Sequence, residues 1–572
     1  MISVVVMVTM LVLAGGYFIY GRFLARQAPA DDNRLTPARE INDGLDYVPA
    51  RAPLLLGQHF SAIAAAGPIV GPVLAAIWFG WLPAVLWIVL GSIFIGGVHD
   101  YLSLAASVRH RAASIGAIVK QHLSPVSYVL FLIFVWLALL YVVTAFADLT
   151  AQTFVTKLQG EAYGPAVAGS SVIYLLLALA MGVVLYRFKL PLWLATVIFL
   201  PLVFLAVWAG PHLPAGILSA LRSMTARQWD AALLAYCFVA SIIPMWLLLQ
   251  PRGYLGGWLL YLTIAVGLLG ALGGGFAIRY PALNLDGFAS AANGKLLFPI
   301  LFITIACGAC SGFHAIVCSG TTSKQLYKES DARPIGYGGM MLEALVALLA
   351  VATVMMLPRG SEELQYEPNI IYARGLASYM QLVKVGFATA FPFALLAFST
   401  FVYDTLDVAT RLARYIFQEL TGMRGRLGGV LATLASLALP LVFLMSTKEK
   451  AYMVAWPIFG TSNQMLASLT LLALAVWLAR EGRRVWFVIL PMAFMMVMTL
   501  TSLVLQVLPF VRALPGGLRG QGLKSDLIVS GVCGLVLLVL SLWLLLESAR
   551  VLWQRPAKRE QMNRKMEKEI QV

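Results

Sequence analysis

About fifteen apolar runs divide this chain, and each is close to the roughly 20 residues that a helix needs to cross a bilayer. Of its 572 residues, 60% are hydrophobic and only 12% are charged, with a mean hydropathy of +0.84. This composition excludes a soluble globular protein of this size, so we predict an all-α polytopic membrane protein. The predicted spans are 3–21, 60–80, 83–106, 125–147, 171–186, 190–210, 232–249, 256–278, 298–322, 337–357, 385–405, 427–446, 453–478, 486–509 and 527–547.

The net charge of +15 follows the predicted topology. When the loops alternate between the two sides, 28 of the 41 Lys and Arg residues fall on the side that holds the C-terminal tail. Cytoplasmic loops carry such an excess, which predicts an outside N-terminus and a cytoplasmic C-terminus and gives no support for nucleic-acid binding. No basic residue precedes the first apolar run, whereas Arg22 and Arg26 follow it, so we expect a retained helix and not a cleaved signal peptide.

The run at residues 60–80 is interrupted by Gly67-Pro68 and Gly71-Pro72. Proline has no N–H, so these two prolines are expected to leave the carbonyls of Ala64 and Pro68 without helical partners. Free carbonyls at membrane depth occur only where they face protein or a water-filled cavity. Discontinuous helices of this kind build substrate and ion sites in secondary transporters, whereas a kinked packing helix is the plainer alternative.

A second break is predicted at Pro244, in the run that also contains Ser241. This run lies five spans after the first broken one, so the two cross the membrane in opposite directions, as in a 5+5 inverted repeat. The predicted organisation is an N-terminal helix and linker (1–57), a first five-helix unit (58–210), an inverted second unit (232–405), about four accessory helices (427–547) and a basic tail (548–572).

Among the ionisable residues inside predicted spans, three are candidates for function, namely Asp100, His314 and Glu343. A carboxylate at the centre of a membrane helix costs about 2.5–3.5 kcal/mol on insertion scales, so such residues usually mark ion or proton pathways. An interfacial pair with a nearby arginine is the plainer interpretation of Asp100. His314 titrates near neutral pH, although a buried histidine also serves as an ordinary hydrogen-bonding core residue.

Polar groups elsewhere favour structural roles. Asp407 and Arg411 are spaced i, i+4, which predicts an interfacial ion pair. A helix break is predicted at Pro457, and Asn463 and Gln464 beyond it should face protein, because amides in lipid need partners. The five cysteines all lie in predicted helices, which indicates packing residues and neither a disulfide framework nor a metal site.

These stretches together resemble the carbon starvation protein A family. The matching strings cover nearly the whole chain: 59–72, 99–101, 307–322, 336–343, 407–411 and 456–466. The resemblance implies importers of bacterial inner membranes that are induced on nutrient starvation and linked to peptides and to pyruvate taken up with protons. It also implies a LeuT-like 5+5 helical core, which agrees with the helix count above.

We therefore expect a secondary active transporter, and no catalytic spacing supports an enzyme. The substrate is expected to be pyruvate or a related small carboxylate; a short peptide is the alternative, and a channel or nutrient sensor is the alternative of another class. The residues expected to surround the substrate are His59, Gly67, Pro68, Gly71, Pro72, Ser241, Pro244, Ser311 and His314. The expected partners are this substrate, a coupling cation and the bilayer, with no cofactor; the sequence does not indicate an oligomeric state.

For the coupling ion we favour a proton carried by Asp100, His314 and Glu343. The alternative is Na⁺ between carbonyls around Ala64 and Pro68 and nearby hydroxyl groups, since oxygen ligands suit a hard cation. These hydroxyl groups belong to Ser311, Ser319, Thr321 and Thr322.

Overall fold

The computed structural model describes residues 1–284, 296–447, 450–518 and 525–553. The described residues are mostly helical, in twenty-one numbered helices, one short hairpin, and four short 3₁₀ or π segments at Gly210–His212, Cys318–Thr322, Glu362–Gln365 and Gln381–Val383. The helices are α1 (Ile2–Gln27), α2 (Pro37–Ile41), α3 (Ala52–Ile63), α4 (Gly67–Phe79), α5 (Trp81–Arg109), α6 (Ile115–His122), α7 (Pro125–Phe154), α8 (Gly164–Tyr186), α9 (Leu192–Ala209), α10 (Ala215–Ser223), α11 (Ala226–Ile242), α12 (Leu249–Gly273), α13 (Leu297–Thr304), α14 (Gly312–Val317), α15 (Glu329–Met355), α16 (Pro368–Met380), α17 (Phe387–Thr421), α18 (Gly425–Ser446), α19 (Ala451–Arg480), α20 (Trp486–Leu518) and α21 (Ser525–Trp553).

Local sequence explains where several of these elements begin and turn. Ser124 precedes α7 and its hydroxyl accepts from the Ser127 N–H at 3.0 Å, while Pro125 occupies the first turn, where no N–H is needed. Thr225 and Gln228 form a reciprocal capping box at the start of α11. The hairpin pairs β1 (Lys157–Leu158) with β2 (Glu161–Ala162).

Twelve helices among the described residues are long and apolar enough to cross a bilayer, and the bent pair α3–α4 makes a thirteenth. This confirms a multi-pass membrane protein but not the predicted number of fifteen spans. The other two predicted spans are interrupted. In 232–249, α11 ends at Ile242, and in 298–322 the non-helical residues 305–311 separate α13 from α14.

Burial separates central helices from peripheral ones. In the apolar part of α19, 94% of the residues are buried inside the protein. In the apolar parts of α1 and α21, only 22% and 28% of the residues are buried. Exposed apolar side chains on the peripheral helices, such as Leu11 and Leu546, suit contact with lipid. The core is therefore built around α19, α15, α7 and α17, and it encloses α3, α4, α13 and α14.

The first break is confirmed, but at one place and not two. Residues 64–66 are non-helical and α3 and α4 meet there at a bend of 44°. Pro68 lies in the first turn of α4, where a proline is tolerated, and Pro72 lies inside α4 without ending it. The prediction of a second break at Pro72 is therefore wrong, because its missing N–H falls near the helix start, where few intrahelical bonds are lost.

Of two further predicted breaks, one is present and one is wrong. Pro244 lies in the non-helical connection between the end of α11 at Ile242 and the start of α12 at Leu249, so the helix does break there. Pro457 lies within the continuous α19. The second discontinuous segment, residues 305–311, lies in a run that the sequence predicts as one uninterrupted helix.

The linker 28–51 lies against the ends of several helices. The Ala50 N–H donates to the Gln325 carbonyl at 2.8 Å, and the Asp31 N–H donates to Glu329 Oε2 at 2.9 Å. Asp46 pairs with Arg411 at 3.3 Å and accepts a hydrogen bond from Tyr415. These contacts hold the linker across the loop before α15 and the C-terminal half of α17.

Candidate functional site

The two discontinuous segments touch each other through glycines. A Cβ on Gly67 would lie 2.4 Å from Cys307 Sγ, and a Cβ on Gly71 would lie 2.2 Å from the Thr304 carbonyl oxygen. Only glycine permits such a close approach of backbone to backbone. The start of α4, directly after the break at 64–66, therefore crosses residues 304–307 of the second discontinuous segment in direct contact.

At this crossing, His314 lies between two carboxylates. Its Nδ1 is 2.7 Å from Asp100 Oδ2, and its Nε2 is 3.3 Å from Glu343 Oε2, a distance typical of an ion pair. The other Asp100 oxygen, Oδ1, lies 2.7 Å from His99 Nδ1. The four side chains thus form a continuous chain from His99 to Glu343, which we call the ionic chain.

All four side chains of the ionic chain are 0% exposed. Moving an isolated ion out of water costs several kcal/mol, so carboxylates and an imidazolium persist here only by neutralising one another. If His314 is protonated and both Asp100 and Glu343 are ionised, the ionic chain carries one negative charge in excess. The arrangement can therefore bind and release a proton while shielded from solvent.

Three elements position the ionic chain, and each carries a π-helical turn close to its charged residue. These turns are Ser92–Gly96 before Asp100, Cys318–Thr322 after His314 and Arg333–Tyr337 before Glu343. Such turns are rare and often accompany functional sites, because the extra residue re-aims neighbouring side chains.

Asn463 of α19 fixes the non-helical residues in place. Its Oδ1 accepts from the Phe313 N–H at 2.8 Å, at the start of α14, and its Nδ2 donates to Ser311 Oγ at 3.1 Å. Gln464 donates to the Phe302 carbonyl at 3.3 Å. The prediction that both amides face protein is confirmed.

His59 of α3 joins the same region from the opposite side. Its Nδ1 lies 2.8 Å from Thr322 Oγ1, and its Nε2 has no hydrogen-bond partner although the residue is buried. Ser319 and Thr321 donate to carbonyls of their own helix at 2.7 and 3.0 Å.

Two predicted substrate residues do not join this crossing. Ser241 Oγ lies 3.2 Å from Thr433 Oγ1, in the contact between α11 and α18. Pro244 lies in the connection that follows α11. The sequence groups both with the site because Pro244 breaks an apolar run, but this break separates α11 from α12 and is not one of the two that cross.

The predicted ion pair between Asp407 and Arg411 is also wrong. Asp407 pairs with Arg252, while Arg411 donates to the carbonyls of Ala240 and Ile243 and pairs with Asp46. Residues spaced i, i+4 can meet on a helix, but these side chains find partners on other elements in the packed core.

A second buried ionic cluster was not anticipated from the sequence. Arg252 Nε lies 3.0 Å from Asp404 Oδ1, and Arg252 Nη1 also contacts Asp407 Oδ2 and the Tyr236 hydroxyl. The Ser61 hydroxyl donates to Asp404 Oδ2. The spacing of Asp404 and Asp407 at i, i+3 beside an apolar run was the one sequence feature that could have indicated this cluster. Arg252 gave no such indication, because the flanking Pro251 and Gly253 are typical of a loop.

One set of side chains near the crossing has the spacing of metal ligands. Donor atoms of Cys307, His314 and Glu343 lie within 4.8 Å of one another. An imidazolium placed between two carboxylates accounts for the same geometry without a metal, so we assign no metal ion there.

The fold and the crossing define a class: a multi-pass membrane transporter with a buried ionic centre where two discontinuous helices meet. The chain belongs to the carbon starvation protein CstA family, because the sequence pattern described as "Carbon starvation protein CstA" matches residues 1–365 and 363–502. The resemblance inferred from the sequence is thereby confirmed.

Individual relatives are similar over most of the chain. The protein named "Peptide transporter CstA" from Helicobacter pylori (strain J99) is 32% identical over 566 residues, covering 86% of this chain and 80% of the relative. The Escherichia coli (strain K12) protein of the same name is 32% identical, covering 85% and 78%. The "Pyruvate/proton symporter BtsT" of that strain is 29% identical, covering 85% and 79%. Among solved structures, a mutant form of the Eremococcus coleocola manganese transporter aligns with a TM-score of 0.44 at 15% identity, covering 89% of this chain and 99% of that one.

Proposed function

We propose that this protein is a secondary active importer that carries a small carboxylate, such as pyruvate, together with protons across the bacterial inner membrane. The observation that carries the proposal is the ionic chain, in which His314 contacts Asp100 and Glu343. A proton-driven carrier needs a titratable group that is shielded from both sides in one state and reachable from each side in others. Imidazole between two buried carboxylates meets this need.

The proposed position of the substrate is the crossing beside this chain. The start of α4 places the positive end of its helix dipole at the break, which favours an anion there. His59, Gly67, Pro68, Gly71, Pro72, Ser311 and His314 are the residues proposed to surround it. A carboxylate of charge −1 then approaches a site that becomes favourable when His314 takes up a proton.

A short peptide is the second candidate, supported by the name "Peptide transporter CstA" of several relatives. Its C-terminal carboxylate would use the same helix end. The name "Pyruvate/proton symporter BtsT" of another relative supports pyruvate and proton coupling. We favour a proton over Na⁺ because His314, placed between two buried carboxylates, can take up and release a proton.

The proposed topology has the N-terminus outside and the C-terminus in the cytoplasm, as the distribution of Lys and Arg favours. The linker 28–51 then lies on the cytoplasmic side. We still propose an inverted repeat, but its two units would have boundaries other than 58–210 and 232–405, because the second discontinuity lies at 305–311. The predicted tail 548–572 lies mostly outside the described residues.

Uptake into proteoliposomes tests the proposal. Purified protein is reconstituted, and labelled pyruvate or dialanine is supplied with an inward proton gradient, with an inward Na⁺ gradient, or with neither. Accumulation of pyruvate in the proton arm alone is expected, and accumulation of dialanine alone would shift the assignment to peptides. If neither compound accumulates in any arm, the importer proposal is wrong.

A further inference from the structure

A second ionic centre lies next to the broken helix, on the side of α3 that faces α12 and α17. It consists of Arg252, Asp404 and Asp407, whose side chains are 2%, 5% and 2% exposed. We call these three residues the arginine cluster. Its contacts described above share no residue with the ionic chain.

The arginine cluster holds one guanidinium and two carboxylates. The neighbouring groups that face it are the Tyr236 hydroxyl from α11, the Ser61 hydroxyl from α3, and the rings of Tyr403 and Tyr236, 4.8 and 5.6 Å from Arg252 Cζ. These groups carry no positive charge at neutral pH. With both acids ionised, the cluster would hold one uncompensated negative charge.

Two nearby ionisable groups do not supply the missing charge. Arg411 lies one turn beyond Asp407 and attracts its carboxylate, but its guanidinium bonds to the carbonyls of Ala240 and Ile243 and is paired with the negative charge of Asp46. Cys237 is buried and carries no positive charge in either protonation state. An excess buried charge of this kind costs several kcal/mol, so one acid in the pair is stabilised in its neutral form.

An unpartnered atom supports the same conclusion. Asp407 Oδ1 is buried and has no hydrogen-bond partner, whereas Asp407 Oδ2 and Asp404 Oδ2 accept hydrogen bonds and Asp404 Oδ1 forms an ion pair with Arg252. The space lined by Gln58, Arg252, Asp404 and Asp407 has no volume for a water-sized sphere. A metal cation with its several oxygen ligands does not fit there, but a proton does.

We propose that Asp404 and Asp407 bind one proton as a pair beside Arg252, forming a second proton-binding site that is separate from the ionic chain. Because the two acids share Arg252, the pair titrates as a unit and the proton belongs to neither residue alone. The role of this site in transport deepens the proposed function and rests on it.

The arginine cluster is also coupled to the break. Ser61 lies three residues before residues 64–66 and contacts Asp404, and Thr405 Oγ1 donates to the Ala62 carbonyl at 2.8 Å. A Cβ on Gly256 would lie 2.3 Å from Asp404 Oδ2 and 2.4 Å from Ser61 Oγ, so α12 packs tightly against both. Loss of the proton would therefore alter the contacts of the last turn of α3.

A second coupled proton changes the energetics of uptake. A carboxylate of charge −1 carried with one proton moves no net charge, whereas carriage with two protons moves one positive charge inward. At zero membrane potential, two coupled protons convert a gradient of one pH unit into roughly hundredfold accumulation of the carboxylate, compared with about tenfold for one proton. Only the two-proton carrier responds to membrane potential.

The first experiment does not require transport. Infrared spectra of the purified full-length protein at neutral pH are compared for the wild type, Asp404→Asn, Asp407→Asn and the control Asp46→Asn. Burial alone would raise the pKa of Asp46, but Lys324, Tyr415, Arg411 and Arg414 outweigh it and hold this pKa below its ordinary value, so the control acid is ionised. Each cluster variant should lose one protonated-carboxyl absorption that Asp46→Asn retains. Spectra that are unchanged in both cluster variants would overturn the proposal.

The second experiment measures uptake of labelled pyruvate driven by an inside-negative potential at equal pH on both sides. The wild type should accumulate pyruvate, whereas Asp404→Asn should respond to a pH gradient but not to potential. Wild-type uptake that ignores potential would show that the pair carries no coupled proton. If uptake is absent under every gradient while the infrared difference is present, the importer proposal fails and the shared proton stands.

Discussion

His314 Nδ1 lies 2.7 Å from Asp100 Oδ2, although 214 residues separate the two in the chain. The contact joins α5 to α14 at the point where the two discontinuous segments cross. Because His314 Nε2 also lies 3.3 Å from Glu343 Oε2, one imidazole connects carboxylates from two different helices. A change in its protonation alters the attraction among all three elements at once.

The substitution His314→Gln tests this connection. Glutamine can keep one hydrogen bond to Asp100 but cannot carry a proton, so the proton carried by the ionic chain should be lost. Each coupled proton contributes roughly tenfold accumulation for a gradient of one pH unit, so the variant should accumulate about one-tenth as much pyruvate as the wild type. Exchange of labelled for unlabelled pyruvate at equal concentrations should continue. Ordinary accumulation by a well-expressed variant would instead assign His314 a purely structural hydrogen bond.

Asp100→Asn should behave like His314→Gln, since it removes the carboxylate that stabilises the imidazolium. Accumulation driven by a gradient of one pH unit should fall about tenfold, while binding measured by thermal stabilisation with substrate should be retained. Asp32→Asn is the control, because Asp32 is an exposed acid on the linker and hydrogen-bonds to Ser330. Equal loss in both variants would point to a general effect on folding.

Gly71→Ala tests the close crossing. The added methyl would lie 2.2 Å from the Thr304 carbonyl oxygen, and overpacking of this kind costs about 1–3 kcal/mol. The melting temperature should fall clearly relative to Gly15→Ala, since a Cβ on Gly15 meets nothing within 4 Å. An equal melting temperature in the two variants would show that α4 and residues 304–305 separate without cost.

Asn463→Ala removes the group that bonds to the start of α14. The Phe313 N–H and Ser311 Oγ lose a partner inside the core, and an unsatisfied buried polar group costs about 1–3 kcal/mol. Reduced thermal stability and reduced pyruvate uptake are expected together. Asn33→Ala is the matched control, because Asn33 is an exposed residue of the linker.

The sequence identified the charged residues of the crossing but not all of its geometry. Asp100, His314 and Glu343 stood out because ionisable groups are rare in apolar runs, and the break before Gly67-Pro68 followed from the missing N–H of proline. The non-helical residues 305–311 contain no proline, and their unwinding depends on Asn463 of a distant helix. Helix propensity depends on residues that are neighbours in the sequence, so it cannot predict a contact with a distant helix.

The arginine cluster could not be predicted from the sequence for a related reason. Arg252 follows Pro251, which typically marks a helix start or a loop, and its burial depends on Asp404 and Asp407 more than 150 residues later. Spacing within one helix suggested Arg411 as the partner of Asp407. Which cation an acid meets is decided by helix packing.

A pH effect on stability is expected outside the spans, at His110 and His122. Their Nε2 atoms lie 3.1 Å apart. Burial lowers the pKa of His110, and burial with His110 and Arg480 alongside lowers the pKa of His122 to about 3. The unfolded chain then binds protons below about pH 6.5 that the folded protein does not, so stability should fall as the pH decreases below that value.

Melting curves between pH 7.5 and pH 5 measure this effect, the range spanning the ordinary histidine pKa of about 6.5. The variant His122→Gln should show a weaker dependence on pH than the wild type. His212→Gln is the control, because His212 is exposed and stacks on Trp208 at the end of α9. An unchanged slope in His122→Gln would contradict the assignment.

Substrate and protons are proposed to cross together through the ionic chain, and this coupling is the central claim. It is tested most directly by a pH-sensitive dye trapped inside proteoliposomes, with pyruvate added outside at equal pH on both sides. Wild-type vesicles should acidify as pyruvate enters, and His314→Gln vesicles should acidify less for each pyruvate that enters. Pyruvate influx through the wild-type protein without acidification would contradict the claim.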